Sequence, residues 1–477
     1  MEKAEFQVII VGGSIGGLTL AHCLHRAGIK HVVLEKASDP APQIGASIGI
    51  LPNGARVLDQ LQLYDQVEEH IEPLSKATIG LPDGFNFSSS YPKIIDQRFG
   101  FPIAFLDRQK MLEILYKGYP DPSKIRLGQR VTSIESLDDG VLITTTTGHV
   151  YRGDLLVGAD GVHSIVRREI WKARGIARRV SKIKQDSSKL TVEFRCIFGI
   201  SSAMPGLKLG EQVNALFDGL TIVTIHGKDG RIYWFVIQKL GKKYVYPDSP
   251  RYTSHETSIA AEEIRDVKFY ENITFGELWD KRETSSMTAL EENTFKVWHH
   301  GRCVLLGDSV HKMTPNVGQG ANMAIEDAAA LANLLRKMRI SSGPYFPTSS
   351  QMEFLLQKYR DLRYERVNTI YQSSRFLVRF QVRDGIIYSL LSRYWAPYAG
   401  DLPADMASKT IADGTMCDFL PTPKRSGGGW EKYSKQGRSW SYLTQLMIYL
   451  FGLTIVYTSL TMMFDLEGAL KFYFLQV

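Results

Sequence analysis

Apolar and polar positions along this chain repeat with two different periods. Residues 6–11 form a short apolar run, residues 18–27 carry apolar positions at helical spacing up to Gly28, and residues 31–34 form a second apolar run ending on Glu35. That order predicts strand, glycine turn, helix and strand. Helical spacing returns at 53–61 and 108–117, alternation predicts antiparallel strands within 124–152, and 155–158 reads as another buried strand. Between about 185 and 290 the pattern changes: 191–200, 213–217, 221–226 and 232–238 are strand-like and joined by turns such as Gly227-Lys228-Asp229-Gly230. A strand at 303–306, an Ala/Leu-rich helix at 320–336 and helix through 354–375 follow.

This order predicts an α/β fold whose nucleotide-binding part is interrupted by a mainly antiparallel sheet. The divisions are 1–184 (with segments of the second domain near 75–105), 185–290 for the inserted sheet and 291–420 for completion of the first domain. A Pro/Gly/Lys-rich linker, 421–438, then leads to residues 439–464, which hold no charged residue. As a helix those 26 residues would extend roughly 39 Å against a hydrocarbon core of about 30 Å. They predict a single-pass C-terminal helix in contact with membrane lipid, with a buried core or dimer helix as the alternative. Lys432, Lys435 and Arg438 precede it while Asp465 and Glu467 follow, which predicts that the preceding domains lie on the cytosolic side, as at the endoplasmic reticulum.

Composition narrows the function classes. Over 477 residues, 44% are hydrophobic and 22% charged, the values of a globular protein. The net charge of +7 comes from 57 basic against 50 acidic residues spread along the chain, so no nucleic-acid partner is expected. Cys23, Cys196, Cys303 and Cys417 form no Cys-x-x-Cys pair, which argues against a disulfide framework and a zinc site. His22 with His25, and His299 with His300, lack convergent acidic or thiol ligands, so no metal is expected. Glu2, Lys3 and Glu5 lead directly into the first strand rather than into a signal peptide.

Three constellations carry chemistry. Gly12-Gly13-Ser14-Ile15-Gly16-Gly17 lies between strand and helix, where glycines permit a tight turn and bring amides up to a pyrophosphate; Glu35 ends the second strand, within reach of ribose hydroxyls. Ser14 stands where G-x-G-x-x-G has its middle glycine. The second is Asp160-Gly161 after the strand at 155–158, followed by Arg167. The third is Gly307-Asp308 with Pro315 and Gly318-Gln319-Gly320-Ala321-Asn322, which places a carboxylate near a polyol and a helix start near an anion.

These motifs, over about residues 5–375, resemble the group A flavoprotein monooxygenases. The resemblance implies an FAD-binding Rossmann-type (glutathione-reductase-like) fold, with FAD and NADPH as cofactors and O2 as co-substrate. It implies that Gly12, Gly17 and Glu35 hold the adenosine half, Gly49 and Arg108 approach the flavin, Asp308 binds the ribityl chain, and Gly320 and Ala321 direct amides at the N1/C2 side. Asp160 and Gly161 would serve both FAD and NAD(P)H. Reduced flavin with O2 would give a C4a-hydroperoxide that delivers an electrophilic oxygen. The run at 8–24 is similar to that of fungal terpenoid-pathway FAD epoxidases, notably those of paxilline-type indole-diterpene biosynthesis. That likeness implies epoxidation of a prenyl-chain alkene on a geranylgeranylated indole, between a pathway prenyltransferase and a cyclase. A farnesylated meroterpenoid substrate, aromatic-ring hydroxylation and a non-catalytic prenyl-binding carrier remain as alternatives.

Arg195, which interrupts an apolar strand, and Tyr233 are candidates to position substrate or protonate an alkoxide. An outward strand residue and a core aromatic are the plainer explanations. The basic residues Arg167, Arg168, Lys172, Arg174, Arg178, Arg179, Lys182 and Lys184 fit capture of an NADPH phosphate or an anionic bilayer, or simply a solvated face.

Overall fold

The computed structural model describes residues 6–43, 45, 47–175, 190–342, 347–423, 425 and 427–434. The first apolar run is the strand Gln7–Val11, and it pairs in parallel with Lys30–Leu34 on one side and Leu155–Gly158 on the other. Ile125–Arg126 and Cys303–Leu305 extend the parallel sheet, and His299–His300 closes it antiparallel. Val8, Ile9 and Ile10 are fully buried because this sheet is covered on both faces. Helix α1 (Ile15–Arg26) lies on one face. On the other, Gly153 of a three-stranded sheet sits where any side chain would strike Ile9.

His22 and His31 lock this unit from inside. His22 Nε2 donates to the Leu115 carbonyl at 2.8 Å, joining α1 to α2 (Arg108–Lys117). His31 Nδ1 donates to the Ile29 carbonyl at 2.8 Å and Nε2 accepts from the Tyr119 hydroxyl at 2.6 Å. Burial pushes both imidazoles down to about 4. A histidine held neutral in this way contributes stability that is complete above its ordinary value near 6.5 and is lost as pH falls towards about 4. The urea midpoint is therefore expected to fall across that window, and His31→Gln to flatten the slope while lowering stability at neutral pH.

The second layer is an eight-stranded sheet in the order His311–Lys312, Arg282–Thr294, Thr191–Ser201, Ile232–Val245, Leu220–His226, Glu211–Phe217, Lys76–Gly80, Asn86–Ser89. Every pairing is antiparallel except Glu211–Phe217 with Lys76–Gly80. Strand alternation divides its side chains between two interiors. Phe194, Cys196 and Ile237 face the long helix α5 (Ser349–Gln381) with Val378, and Ile197, Trp234 and Val236 face the short helices Ser254–Glu262 and Phe275–Asp280. Helix α3 (Ile165–Ala173) packs on the parallel sheet at Leu155–Gly158 and Cys303–Leu305, and α4 (Gly320–Ser342) packs on α1. Both sheets belong to one compact unit that runs to Trp430.

Among the described residues no helix is long and apolar enough to cross a membrane. The span expected at 439–464 lies outside them, as do Arg178, Arg179, Lys182 and Lys184 of the basic cluster. Also among the described residues, no group of three His, Cys, Asp or Glu side chains could hold a metal. The four cysteines are free and buried, and Cys23 and Cys417, distant in sequence, approach to 3.7 Å between sulfurs.

Candidate active site

The first glycine turn is closed by backbone crowding. Gly12 adopts φ of +108° and its N–H donates to the Leu34 carbonyl at 2.9 Å; a Cβ there would lie 2.3 Å from the Ala159 carbonyl oxygen. Gly17 permits the closest approach of all, since its Cβ would lie 1.9 Å from the Gly12 carbonyl oxygen. Glu35 accepts from the Gly13 and Ala37 amides at 2.6 and 2.8 Å, so the carboxylate fixes the turn and lines the cleft together. Ser14 has a partner that a glycine could not supply. Its Oγ accepts from Arg108 Nη2 at 2.9 Å, across 94 residues. Burial lowers the Arg108 guanidinium from its usual value, opposed by the carboxylates of Asp308 and Glu35.

The second and third turns are bolted together by Arg167, which the sequence places just after the Asp160-Gly161 motif and in a basic cluster without showing this role. Its guanidinium donates to the Ser309 carbonyl at 2.6 Å and the Val162 carbonyl at 2.5 Å, and it lies 4.5 Å from the Phe295 ring centre. Burial lowers it to about 10, so it stays charged at neutral pH. Asp160 Oδ2 accepts from the Ile165 and Val166 amides at 2.7 and 3.3 Å, capping α3. Its Oδ1 is buried without a partner, and burial raises the carboxyl. An orphaned acceptor in a cleft fits a ligand that brings hydroxyls or amides.

Gly307 takes φ of +63° and its N–H donates to Asp327 Oδ2 at 3.0 Å, which turns the half-exposed Asp308 into the cleft, where it pairs with Lys312 at 2.5 Å. Behind it lies a buried charge network absent from the sequence expectations. Glu326 and Asp327 of α4, both fully buried, receive Arg363 of α5 at 2.6 and 2.7 Å; Arg366 adds two bonds to Glu326, and His311 one to Asp327. Asn322 stitches the start of α4 to the strand Ser47–Ile50, donating to the Gly49 and Gly318 carbonyls and accepting from the Leu51 amide. Gly49 has no side chain because the Phe105 ring on the paired strand would lie 3.0 Å from its Cβ.

These turns surround one cavity of about 1770 Å³. Gly12, Glu35, Gly49, Arg108, Asp160, Gly161, Asp308, Gly320 and Ala321 all line it, while Gly17 stands behind the turn. Past Gly320 it opens into an apolar chamber between the eight-stranded sheet and α5, walled by Phe198, Leu216, Phe235, Leu377 and Trp395. Arg195 does not reach that chamber. It sits on the opposite face from Cys196 and Phe198, with Nε on Gln238 at 2.7 Å and Nη2 3.7 Å from Glu263. Tyr233 shares the face of Phe235 and Ile237 but is buried beyond the cavity walls, packed on Gly227; burial, reinforced by Asp107, raises its phenol. Neither residue lines the cavity.

The family described as FAD binding domain matches residues 5–341. The chain is 70% identical to the FAD-dependent monooxygenase janM of Penicillium janthinellum, over 96% of this chain and 94% of that one. The chain belongs to the FAD-dependent monooxygenases. It is 64% identical to the FAD-dependent monooxygenase penM of Penicillium crustosum (95% and 96% covered) and 54% identical to atmM of Aspergillus flavus (95% of each). Its fold is that of Klebsiella pneumoniae HpxO, solved with FAD and uric acid, at TM-score 0.71 and 22% identity, covering 86% of this chain and 97% of that one.

The cleft fits FAD by its own chemistry: an amide-rich turn beside a carboxylate, the orphaned Asp160 oxygen, a half-exposed carboxylate at Asp308 and the open start of α4. Asp308→Ala removes a half-exposed carboxylate from the cleft, with its pairing to Lys312, without disturbing the Gly307 amide bond. FAD affinity is expected to drop by about 10- to 100-fold, the worth of one hydrogen bond to a charged group. Fluorescence titration of apoprotein checks it.

Proposed function

We propose that this monooxygenase epoxidises an alkene in the prenyl chain of a geranylgeranylated indole, using FAD, O2 and NADPH. The chamber carries this reading. The strands of the large sheet and α5 present to it Cys196, Phe198, Leu216, Phe235, Leu377, Phe380 and the neutral amides of Gln212, Asn214 and Gln381; apart from the Cys196 thiol, the ionisable side chains among their described lining residues are Glu291 and Lys312, the latter ion-paired with Asp308. Transfer of an electrophilic oxygen to an isolated alkene needs no base, whereas ring hydroxylation of a phenol is driven by its deprotonation. The volume also exceeds the roughly 300–1,000 Å³ of common ligand sites, as a space shared by FAD and a long apolar substrate requires.

Bound FAD supplies the reduction and activation of O2. The balance is alkene, O2, NADPH and a proton to epoxide, water and NADP+. The chain's own residues do the rest. Gly12, Gly17 and Glu35 would hold the adenosine half, Arg108 and Asp308 the middle, and the Gly320 and Ala321 amides would favour negative charge on the reduced ring. The apolar walls keep water from the reacting carbon. Exposed Arg168 lines the cavity beside His163, with Lys172 and Arg174 near, which supports docking of NADPH phosphates there. The uncharged residues 439–464 support a C-terminal membrane anchor with the catalytic part cytosolic, suited to a substrate that partitions into lipid. A prenyltransferase would supply the substrate and a cyclase consume the epoxide.

Purified enzyme incubated in air with NADPH and geranylgeranylated indole is expected to give a product one oxygen heavier that opens to a diol in acid. A phenol instead would replace epoxidation by ring hydroxylation.

A further inference from the structure

The segment after α5 is apolar on two sides. Between Asp384 and Asp401 Arg393 is the one charged residue, and its guanidinium is ion-paired with Asp83 at 2.8 Å. Trp395, Ala396 and Pro397 line the substrate chamber, yet Tyr394 and Tyr398 beside them are 65% and 84% exposed. The short helix Ile386–Leu390 adds Ile386 at 77% and Ile387 at 73%. Phe376, which lines the chamber and is itself half exposed, meets the Tyr388 ring at 5.8 Å and so joins the two surfaces. One thin wall therefore separates an apolar chamber from the exterior, with apolar side chains on both faces.

Resting on the substrate reading above, we propose that residues 386–398 dock in the plane of a lipid bilayer and form the portal through which the apolar substrate enters from the membrane. Continuity with the chamber selects lipid over a protein partner, since the ligand this chamber fits is dissolved in lipid. The side-chain composition agrees: Tyr388, Tyr394, Trp395 and Tyr398 are the types that settle at the membrane interface, beside aliphatic residues that enter it. A helix of five residues cannot span, so the contact is in plane.

Peptide-resolved hydrogen exchange on the full-length enzyme, with and without phosphatidylcholine vesicles holding a minor share of phosphatidylserine, tests this. Exchange in 386–398 is expected to slow severalfold with vesicles, and Ile386→Glu with Ile387→Glu to abolish that slowing. Both positions are exposed, so the variant keeps its fold. Turnover of vesicle-borne substrate is expected to fall about tenfold in the variant, the effect of placing charge in an apolar interface, while turnover of detergent-dispersed substrate is unchanged. Exchange indifferent to vesicles, protection that survives in the variant, or protection that follows protein concentration without lipid would each overturn the proposal, the last in favour of a second copy. Vesicle-dependent protection with no epoxide from any prenylated indole would remove the substrate reading and leave the docking.

Discussion

An Arg363→Met variant is expected to lose about 3–5 kcal/mol of stability, the usual cost of removing one partner from a buried ion pair, together with most of its bound FAD. Arg363 is fully buried and serves two fully buried carboxylates, Glu326 at 2.6 Å and Asp327 at 2.7 Å. Methionine matches its length but leaves Asp327 with His311 and the Gly307 amide alone. Because that amide orients the turn bearing Asp308, the stability loss reaches the cofactor. The pH dependence separates this network from generic packing. Burial alone would raise the Asp327 carboxyl, but His311 and Arg363 outweigh it and hold it at about 2. Its contribution is present above the unfolded value near 3.9 and is lost as pH falls towards about 2. Wild-type urea midpoints should drop across that window, and the variant should show a shallower drop from a lower start.

This network depends on contacts that local sequence pattern does not carry. The three turns were legible because each is local: a buried strand, a glycine and a carboxylate lie within a few residues, and the chemistry of an amide-rich turn follows from that alone. Arg363 is 36 residues from Asp327, and on its own helix it reads like any solvent-facing arginine. A hint existed in Glu326-Asp327, which interrupts a helix of alanine and leucine on every side. The strand Arg282–Thr294 was missed for a different reason. Its central run is polar, and the sheet is held there by backbone pairing to Thr191–Ser201 and by two contrasting faces, Met287 on one core and Leu290 on the other. Arg195 shows the limit of alternation. Period two states that Arg195 and Cys196 face opposite ways, but which face meets the cofactor depends on where α5 packs, and that is set by the tertiary fold. Tyr233 has the correct parity and the wrong depth, a distinction alternation does not carry.

Gly17→Ala and Gly320→Val are expected to abolish flavin binding by opposite routes, and the contrast locates the ligand. A methyl on Gly17 would sit 1.9 Å from the Gly12 carbonyl oxygen, backbone against backbone, so α1 must retreat from the turn. Overpacking of this kind costs about 1–3 kcal/mol or more, and the apoprotein itself should melt earlier. A Cβ on Gly320 meets nothing within 4 Å, although the residue lines the cavity at the open start of α4. The apoprotein of Gly320→Val should therefore melt within about 0.5 kcal/mol of wild type, as substitutions away from packed features do. Its isopropyl group, however, projects into the cavity, so with the flavin ring seated against the helix amides as proposed, FAD retention and turnover should both collapse. Gly241→Ala, also with nothing within 4 Å but outside the cavity, is the control that should change neither. Thermal melts of apoprotein paired with the flavin absorbance of the purified enzyme read both quantities. If Gly320→Val bound FAD as well as wild type, the start of α4 would not be where the flavin lies, whatever the fate of Gly17→Ala.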